Sequence, residues 1–279
     1  MHMNQIRPAA VAGAFYSGDA QILNRDLDLL LAQAQAQVQS ETSKPVVHGP
    51  VPKALIVPHA GYIYSGPIAA LAYRRLAPAR GKITRVVLLG PAHRVAVRGL
   101  ALPQVQAFAT PLGQVRLDHA ACAHLLDLKQ VVFSDATHAQ EHSLEVQLPF
   151  LQKVLGDFSL VPLVVGDASA AEVAQVLESV WGGAETLIVI SSDLSHYLPY
   201  AQAQRIDQHT SNMILNLQTD ITHEQACGST PVNGLLLAAK HHGLQPELLD
   251  LRNSGDTAGT PDKVVGYAAF AFMEPAHAH

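Results

Sequence analysis

Short, continuous apolar runs alternate along the chain with longer segments in which apolar residues recur every three or four positions. Ala54–Val57, Arg85–Gly90 and Thr186–Ile190 are aliphatic and β-branched runs with the length of a buried strand. Segments between them, such as Ala170–Val180, have the apolar spacing of an amphipathic helix. Strands that alternate with helices predict an α/β fold, with helices flanking a central mixed or parallel sheet.

Capping and turn residues set the expected ends of the helices. Asp19 is expected to cap a helix with a leucine stripe, and Ser65–Pro67 to start another that runs through Leu76. We expect a kink at Pro149 in a helix over 144–155, and a break at Gly228 between two helices over 221–244, with Thr230 and Pro231 as N-cap and first-turn pair. The remaining expected strands are 99–103, 107–117 (around a turn at 110–113), 131–133, 160–165 and 264–272, and the remaining helices are 118–128 and 206–217.

Composition narrows the class of protein. The 279 residues are 48% hydrophobic and 15% charged, which suits one globular domain over 1–279 with a sizeable core. A formal charge of −5 disfavours nucleic acid and anionic membranes as partners. We find no signal peptide and no apolar run long enough to span a bilayer. Two cysteines, Cys122 and Cys227, make no disulfide framework, so a reducing cytoplasm is expected.

Titratable side chains follow each of the three buried strand runs. His59 comes just after the first run, His93 after the second, and Asp193 and His196 after the third. Ligands of open α/β sheets collect beyond the carboxyl ends of the strands. The sequence therefore predicts a polar, histidine-rich site at one edge of the sheet.

His59 and His93 are the first candidates for metal ligands. As a pair, two imidazoles at matching strand ends favour a divalent metal ion, whereas each alone is explained by hydrogen bonds to loop carbonyls. Cys227 is the third candidate, because the helix expected after Gly228 would favour a thiolate. The alternative for Cys227 is a buried, inert thiol, which is the interpretation we give Cys122.

Asp193 and His196 form a possible proton-transfer pair. A carboxylate three residues before a histidine can orient it as a general acid or base. The alternative is that Asp193 caps a short helix and His196 is exposed. The spacing alone leaves both interpretations open.

The segment His138-Ala-Gln-Glu141-His142 fits H-x-x-E-H, the inverted zincin pattern, and would indicate a zinc peptidase. Three observations weaken that interpretation. The chain holds fifteen histidines, which invites accidental matches. Pro149 follows closely, and no third ligand is evident downstream.

Several blocks in a fixed order resemble the Memo family and cover nearly the whole chain. They are Gly13-Ala-Phe-Tyr16, Pro58-His-Ala-Gly-Tyr-Ile-Tyr-Ser-Gly66, Gly90-Pro-Ala-His93, Thr110-Pro-Leu-Gly113, Glu141-His-Ser-Leu-Glu145, Ser191-Ser-Asp-Leu-Ser-His196, Cys227-Gly228, Ser254-Gly-Asp256 and Val264-Val-Gly-Tyr267. The resemblance implies an α/β fold similar to the class III extradiol dioxygenases, non-haem iron enzymes that open catechol rings.

The resemblance also implies roles for particular residues. His59 and His93 match the metal-binding histidines of the family, and Cys227 matches a cysteine that stands in place of the glutamate ligand of the dioxygenases. The remaining polar pocket positions correspond to catalytic candidates, and Tyr64 is expected to line the pocket. Those catalytic candidates are Asp193, His196 and His142.

The resemblance finally implies a cofactor and partners. Iron (Fe²⁺) is the expected metal, and a thiolate ligand also admits copper or zinc. In prokaryotes the family resembles the middle member of a three-part system, with an AMMECR1-like protein and a radical SAM protein beside it. The expected function is a redox, dioxygenase-like protein that acts on a small molecule. The alternative is a protein-interaction module that retains a relic of the pocket.

Overall fold

The computed structural model describes residues 5–41 and 50–275, which form an α/β fold with a central mixed sheet. The strands are β1 (Ile6–Arg7), β2 (Ala54–Val57), β3 (Arg85–Pro91), β4 (Leu100–Leu102), β5 (Ala107–Thr110), β6 (Gly113–Arg116), β7 (Val131–Phe133), β8 (Ser159–Val165), β9 (Thr186–Ser191), β10 (His196–Leu198), β11 (Gln245–Asn253) and β12 (Val264–Met273). The α-helices are α1 (Ala20–Glu41), α2 (Tyr62–Tyr73), α3 (His119–Leu125), α4 (Asp135–Ala139), α5 (Leu148–Leu155), α6 (Ala170–Ser179), α7 (Tyr200–Leu215) and α8 (Ser229–His242). Across the described ranges, no helix combines the length and apolarity needed to cross a membrane.

The main sheet has the strand order β10-β12-β2-β9-β3-β8-β4-β7, and β11 pairs along β12. The four central strands β2, β9, β3 and β8 are parallel to one another. Their carboxyl ends therefore share one edge, which is the arrangement that the candidate site requires. A second, three-stranded sheet has the strand order β1-β5-β6.

Helices cover both faces of the main sheet, and this explains why its central strands are continuous apolar runs. Along β2, Leu55 and Val57 belong to the apolar core beneath α1, α2 and α5. Their neighbours Ala54 and Ile56 belong to the core beneath α3, α6, α7 and α8. Because successive side chains of a strand point to opposite faces, a strand buried on both sides needs apolar residues at every position.

The apolar runs predict the central strands well. The first run matches β2 at both ends, and the other two match β3 and β9 to within one residue. Asp19 caps α1 as expected, since its Oδ1 accepts the backbone N–H groups of Gln21 and Ile22 at 2.9 Å. The predicted turn at 110–113 joins β5 to β6.

The expected start of α2 at Ser65–Pro67 is wrong. The helix begins at Tyr62, and Gly61 is its N-cap. Pro67 lies inside the helix and has no N–H to donate to the carbonyl of Ile63. The helix tolerates this loss because Ile63 is 68% exposed, so water can take the place of the missing donor. Arg74–Ala79 then continues the chain as a 3₁₀-helix.

Two further helix predictions are wrong in detail. Pro149 lies in the first turn of α5, where no N–H is needed, so it starts a helix instead of kinking one. The two helices expected over 221–244 are one helix, α8, whose N-cap is Gly228 and not Thr230. Residues 221–228 form turns before it. Strands β1, β10 and β11 and helix α4 have no counterpart among the elements predicted from the sequence.

Candidate metal centre

Three predicted site residues lie together beyond the carboxyl ends of neighbouring strands. His59 follows β2, Asp193 follows β9 and His93 follows β3. The rings of His59 and His93 have their centroids 5.2 Å apart and an interplanar angle of 78°. Asp193 Oδ1 accepts a hydrogen bond of 2.7 Å from the backbone N–H of His59. The sheet edge therefore brings these residues together as expected.

The buried hydrogen bonds of His59 determine which ring nitrogen faces the cavity. Ser191 Oγ donates its hydrogen to the Ser143 carbonyl at 2.6 Å, so it can only accept from His59 Nδ1 at 2.9 Å. Nδ1 therefore carries the hydrogen, and Nε2 keeps its lone pair. Burial, and after it the proximity of the His93 and His142 imidazoles, lowers the pKa of His59 well below its usual range. The neutral imidazole is the form that binds metal ions.

Glu141 engages Nδ1 of His93, as Ser191 engages Nδ1 of His59. Its carboxylate accepts the backbone N–H of His93 at 2.6 Å and the ring Nδ1 at 2.9 Å. Burial opposes ionisation of Glu141, but hydrogen bonds from His93 and Ser143 outweigh it and lower the pKa of Glu141 to about 2. An ionised carboxylate only accepts, so Nδ1 of His93 carries the hydrogen of this bond, and Nε2 is the ring nitrogen that Glu141 leaves for another partner. Carboxylate–imidazole pairs of this kind commonly support metal ligands.

His142 completes a cluster of three imidazoles. Its ligand nitrogen lies within 4.8 Å of those of His59 and His93. Burial, together with His93, lowers the pKa of His142 to about 4. Its ring packs on Phe15 at 4.8 Å and on His93 at 4.6 Å with an interplanar angle of only 23°. Because imidazole lone pairs lie in the ring plane, two nearly parallel rings do not aim at a common point.

Cys227 faces His59 from the segment before α8. Its Sγ is 3.3 Å from His59 Nε2 and 3.7 Å from the Asp193 carbonyl oxygen. It does not belong to the three-imidazole cluster. A nitrogen and a sulfur that bind one zinc ion, at about 2.1 and 2.3 Å, lie at most about 4.4 Å apart. His59 and Cys227 are therefore close enough to share an ion.

The expectation that the following helix favours a Cys227 thiolate is wrong for the metal-free chain. Burial, and after it the charge of Asp193, raises the pKa of Cys227 to about 12. These effects outweigh the hydrogen bonds from Ser192 and the Gly228 backbone that favour the thiolate. The thiol is therefore protonated at neutral pH and must lose its hydrogen before it can ligate a metal ion.

Asp193 and His196 are neighbours in the cavity, but Asp193 does not orient His196. The Leu194 carbonyl accepts the hydrogen bond of His196 Nδ1 at 2.7 Å, so this turn of the backbone sets the tautomer. Burial lowers the pKa of His196. Burial raises the pKa of Asp193 to about 7, against the hydrogen bond from His59. A carboxyl group with that pKa can take up or release a proton near neutral pH.

These side chains line an open cavity of about 1070 Å³. Tyr64 lies in its wall, as the family resemblance implies. Aromatic residues that the sequence analysis did not single out also line it, as does the charged Arg94; the aromatic ones are Phe15, Tyr197 and Tyr267. Phe15 and Tyr267 belong to two of the family-like blocks, which is the signal that could have identified them.

The zinc-peptidase interpretation of His138, Glu141 and His142 is wrong. Helix α4 ends at Ala139, so the two histidines are not one turn apart on a helical face. His138 is 2% exposed, and its Nε2 donates to the Ala101 carbonyl at 2.8 Å. Glu141 is engaged with His93. His138 is a hydrogen-bonded core histidine.

Replacement of His138 by Gln should reduce the pH dependence of stability. Burial lowers the pKa of His138 to about 4, against its hydrogen bond to Ala101. Since the unfolded histidine takes up a proton near its usual value of about 6.5, its stabilisation is present above that pH and is lost as the pH falls towards 4. Urea unfolding should show that the variant loses about 2 kcal/mol less than the wild type between about pH 7 and 5. The exposed His124→Gln should match the wild type, and an unchanged pH dependence in His138→Gln would contradict the assignment.

A buried carboxylate anchors the N-terminal segment behind the site. Glu145 is fully buried and forms an ion pair with Arg7 Nη1 at 2.6 Å. It also accepts the backbone N–H groups of Ala10 and Val11 and the hydroxyl of Tyr16. Sequence analysis did not single out this pair, because its members lie far apart in the chain.

Arg7 connects that anchor to the metal candidates. Its Nε donates to the His138 carbonyl at 2.8 Å, and its Nη2 donates to the Glu141 carbonyl at 2.6 Å. The loop that carries Glu141 and His142 is therefore fixed by side-chain bonds from the N-terminal segment. Because Glu141 in turn holds His93, the position of His93 depends on this loop.

Two glycines permit close approaches at the site. A Cβ on Gly90 would lie 2.8 Å from Ser143 Oγ, so a side chain there would displace the loop beside His93. A Cβ on Gly228 would lie 2.7 Å from the Cβ of Ser192. Gly228 also donates its backbone N–H to Ser192 Oγ at 3.0 Å, which keeps Cys227 close to the end of β9.

A family model and curated relatives match nearly the whole chain. A family model described as Memo-like protein matches residues 7–271. A protein of Ignicoccus hospitalis described as a MEMO1 family protein is 36% identical, with 97% of this chain and 99% of that protein covered. One of Aquifex aeolicus with the same description is 34% identical over 96% of this chain and 100% of its own length. A solved structure of an uncharacterized Escherichia coli K12 protein aligns with a TM-score of 0.49 and 14% identity, covering 77% of this chain and 98% of that one.

Proposed function

Since the chain belongs to the Memo family, we propose that it is a mononuclear metal protein in which His59, His93 and Cys227 bind a transition-metal ion. The observation that carries the proposal is the state of the two imidazoles. Both Nδ1 atoms are engaged as donors, to Ser191 and to Glu141, so Nε2 is the nitrogen that each ring has left for a ligand. The angle of 78° between the rings allows those lone pairs to converge.

The choice of Cys227 as the third ligand rests on its surroundings. Cys227 is half-buried, and its Sγ lies 3.3 Å from His59 Nε2, while its contacts with the Asp193 carbonyl and Ser192 Oγ are long, at 3.7 and 4.0 Å. The ligand nitrogen of His142 lies within 4.8 Å of those of both other imidazoles, but its ring is stacked nearly parallel to His93. Because His142 is mostly buried, its ring has little room to turn.

The donor set fits iron, and it also fits copper and zinc, since imidazole suits all three and a thiolate favours the softer ions. We propose Fe²⁺ as the resident metal. When bound, the ion would supply a Lewis acid and a redox centre for an oxidant and a small organic molecule. The open cavity gives that molecule room beside the ligands, and its aromatic wall favours an apolar or aromatic group.

The roles proposed for the chain's own residues concern protons. His196, with its Nδ1 hydrogen fixed by Leu194, would accept a proton at Nε2. Asp193, with a pKa of about 7, would hold or release a proton beside His59. Tyr64 would contact the bound molecule from the wall. An AMMECR1-like protein and a radical SAM protein remain the expected partners from the family resemblance.

Metal content is the test of the proposal. Protein purified without oxygen and loaded with Fe²⁺ should contain about one ion per chain by elemental analysis. His59→Ala and Cys227→Ala should each lower the affinity at least about tenfold, because each removes a ligand. His142→Ala is the matched control and should keep its metal.

Two results would overturn the assignment. Equal metal content in wild type, His59→Ala and Cys227→Ala would refute a site in this cavity. Loss of metal in His142→Ala, with retention in Cys227→Ala, would replace the proposed ligand set by the three-imidazole cluster. Circular dichroism of each variant should confirm that it is folded before its metal content is compared.

A further inference from the structure

A second cluster of metal-binding side chains lies outside the cavity. Glu178 in the last turn of α6 meets His241 and His242 at the end of α8, and their ligand atoms lie within 4.8 Å of one another. We propose that these three residues form an open site for a divalent transition-metal ion of the zinc or copper type. This site is distinct from the proposed centre at His59 and does not depend on it.

The distances within the cluster suit a shared ion. Glu178 Oε2 is 2.9 Å from His242 Nε2, and Glu178 Oε1 is 3.4 Å from His241 Nδ1. Two ligands that bind one ion at about 2.1 Å each lie at most about 4.2 Å apart. Two imidazoles and one carboxylate favour zinc or copper over the hard ions calcium and magnesium, which prefer oxygen ligands.

The three ligands differ in how firmly they are held. The His242 ring stacks on Trp181 with a centroid distance of 3.9 Å and an angle of 7°, so Trp181 and Glu178 fix its orientation. His241 lies nearly parallel to His242, at 18°, and its ring must turn to aim at the same point. Its side chain is 72% exposed, which leaves it free to do so. Water can then complete the coordination of the ion.

The local electrostatics favour a cation. The cluster lies at the carboxyl ends of two helices, α6 and α8, where the unpaired carbonyl groups carry partial negative charge. Glu178 adds a carboxylate at the same place. An ion bound there would link the ends of two packed helices, and it would stabilise the folded chain by mass action.

Helix α8 separates the two proposed sites. Cys227 precedes its first residue, and His242 is its last. At a rise of about 1.5 Å per residue, the 14 residues of the helix span about 20 Å. Binding at one site can therefore be measured without direct contact with the other.

Trp181 is the only tryptophan in the chain and provides a local reporter. Because it stacks on His242, a paramagnetic Cu²⁺ ion bound at the cluster should quench its fluorescence. In a Cu²⁺ titration of the full, chelator-treated chain, with free Cu²⁺ set by a metal buffer so that uptake in the cavity does not shift the curve, we expect saturable quenching that fits one site per chain, as a three-ligand site predicts. His241→Ala and Glu178→Gln should each raise the midpoint at least about tenfold. Both substitutions leave the two stacked residues, Trp181 and His242, in place.

Two controls identify the site that the fluorescence reports. His124→Ala removes an exposed histidine elsewhere and should leave the midpoint unchanged. Cys227→Ala should also leave it unchanged, because the cavity lies at the other end of α8. The absence of saturable quenching in the wild type would overturn the proposal, as would an unchanged midpoint in both His241→Ala and Glu178→Gln. Loss of quenching in Cys227→Ala would assign the signal to the cavity and overturn it as well.

Discussion

Glu145→Gln should lower the free energy of unfolding by about 3–5 kcal/mol, the usual cost of breaking a buried ion pair by removing one partner. In the wild type, Glu145 is fully buried and Arg7 is 4% exposed, so the variant leaves an unpaired guanidinium inside the protein. Glu145 also accepts the hydroxyl of Tyr16 and two backbone N–H groups. The amide of a glutamine has only one acceptor oxygen and cannot satisfy all of these donors.

Urea unfolding measures this loss, and a surface pair supplies the control. Arg75 and Glu247 form an ion pair of 3.1 Å in which Glu247 is 48% exposed. Glu247→Gln makes the same chemical change where water replaces the lost partner, so it should cost about 0–1 kcal/mol. Similar losses for the two variants would show that the Arg7–Glu145 pair does not anchor the N-terminal segment. The dependence of the free energy of unfolding on urea concentration (the m value) should be the same in both variants, so that their free energies can be compared.

The sequence predicts the parts of the fold that depend on local pattern. The apolar runs identify the central strands because a strand buried on both faces must be apolar throughout. Strand β11 could not be predicted, since it includes Pro246, Glu247 and Asp250 and pairs only along β12. Its formation depends on a partner strand that is distant in sequence, at the edge of the sheet. The start of α2 was predicted wrongly for a different reason. Proline is common in the first turn of a helix, but Pro67 lies in the middle of α2.

The sequence predicts which residues form the candidate site better than it predicts their hydrogen bonds and protonation states. The positions of His59 and His93 after apolar runs indicate that both reach one sheet edge. The sequence does not reveal that Glu141 supports His93, because the pattern around His138 suggests a different role for that glutamate. It also does not reveal the state of Cys227, which depends on burial and on the charge of Asp193 more than on the following helix.

The metal-free site holds its imidazoles ready for binding and its sulfur protected. His59 is neutral, and its ring is fixed by Ser191 before any ion arrives. Cys227, in contrast, is a protonated thiol in the same cavity. Since the thiolate is the form that reacts with oxidants, we expect the protonated Cys227 to resist oxidation. The two kinds of ligand therefore respond differently to pH.

Metal affinity should consequently rise about tenfold per pH unit, or about a hundredfold from about pH 7 to about pH 9. The pKa of Cys227 is about 12 in the metal-free chain, so its thiol is protonated throughout this range. Binding as a thiolate then releases one proton, and each unit of pH favours the bound state tenfold. Burial keeps His59 neutral over the whole range, so it adds nothing to the slope. Competition between the chain and a chelator of known affinity for Zn²⁺ measures the effect.

Two variants distinguish the contribution of the Cys227 thiol to this pH dependence from that of the neighbouring imidazoles. Cys227→Ala should bind Zn²⁺ more weakly and with little dependence on pH, because no proton is left to release. His142→Ala should keep the wild-type slope, since that imidazole is already neutral, with a pKa of about 4. Calorimetry in buffers of different ionisation enthalpy should count about one proton released per ion for wild type and none for Cys227→Ala. A wild-type affinity that does not change with pH would mean that the ion is held by imidazoles alone and that Cys227 is not a ligand.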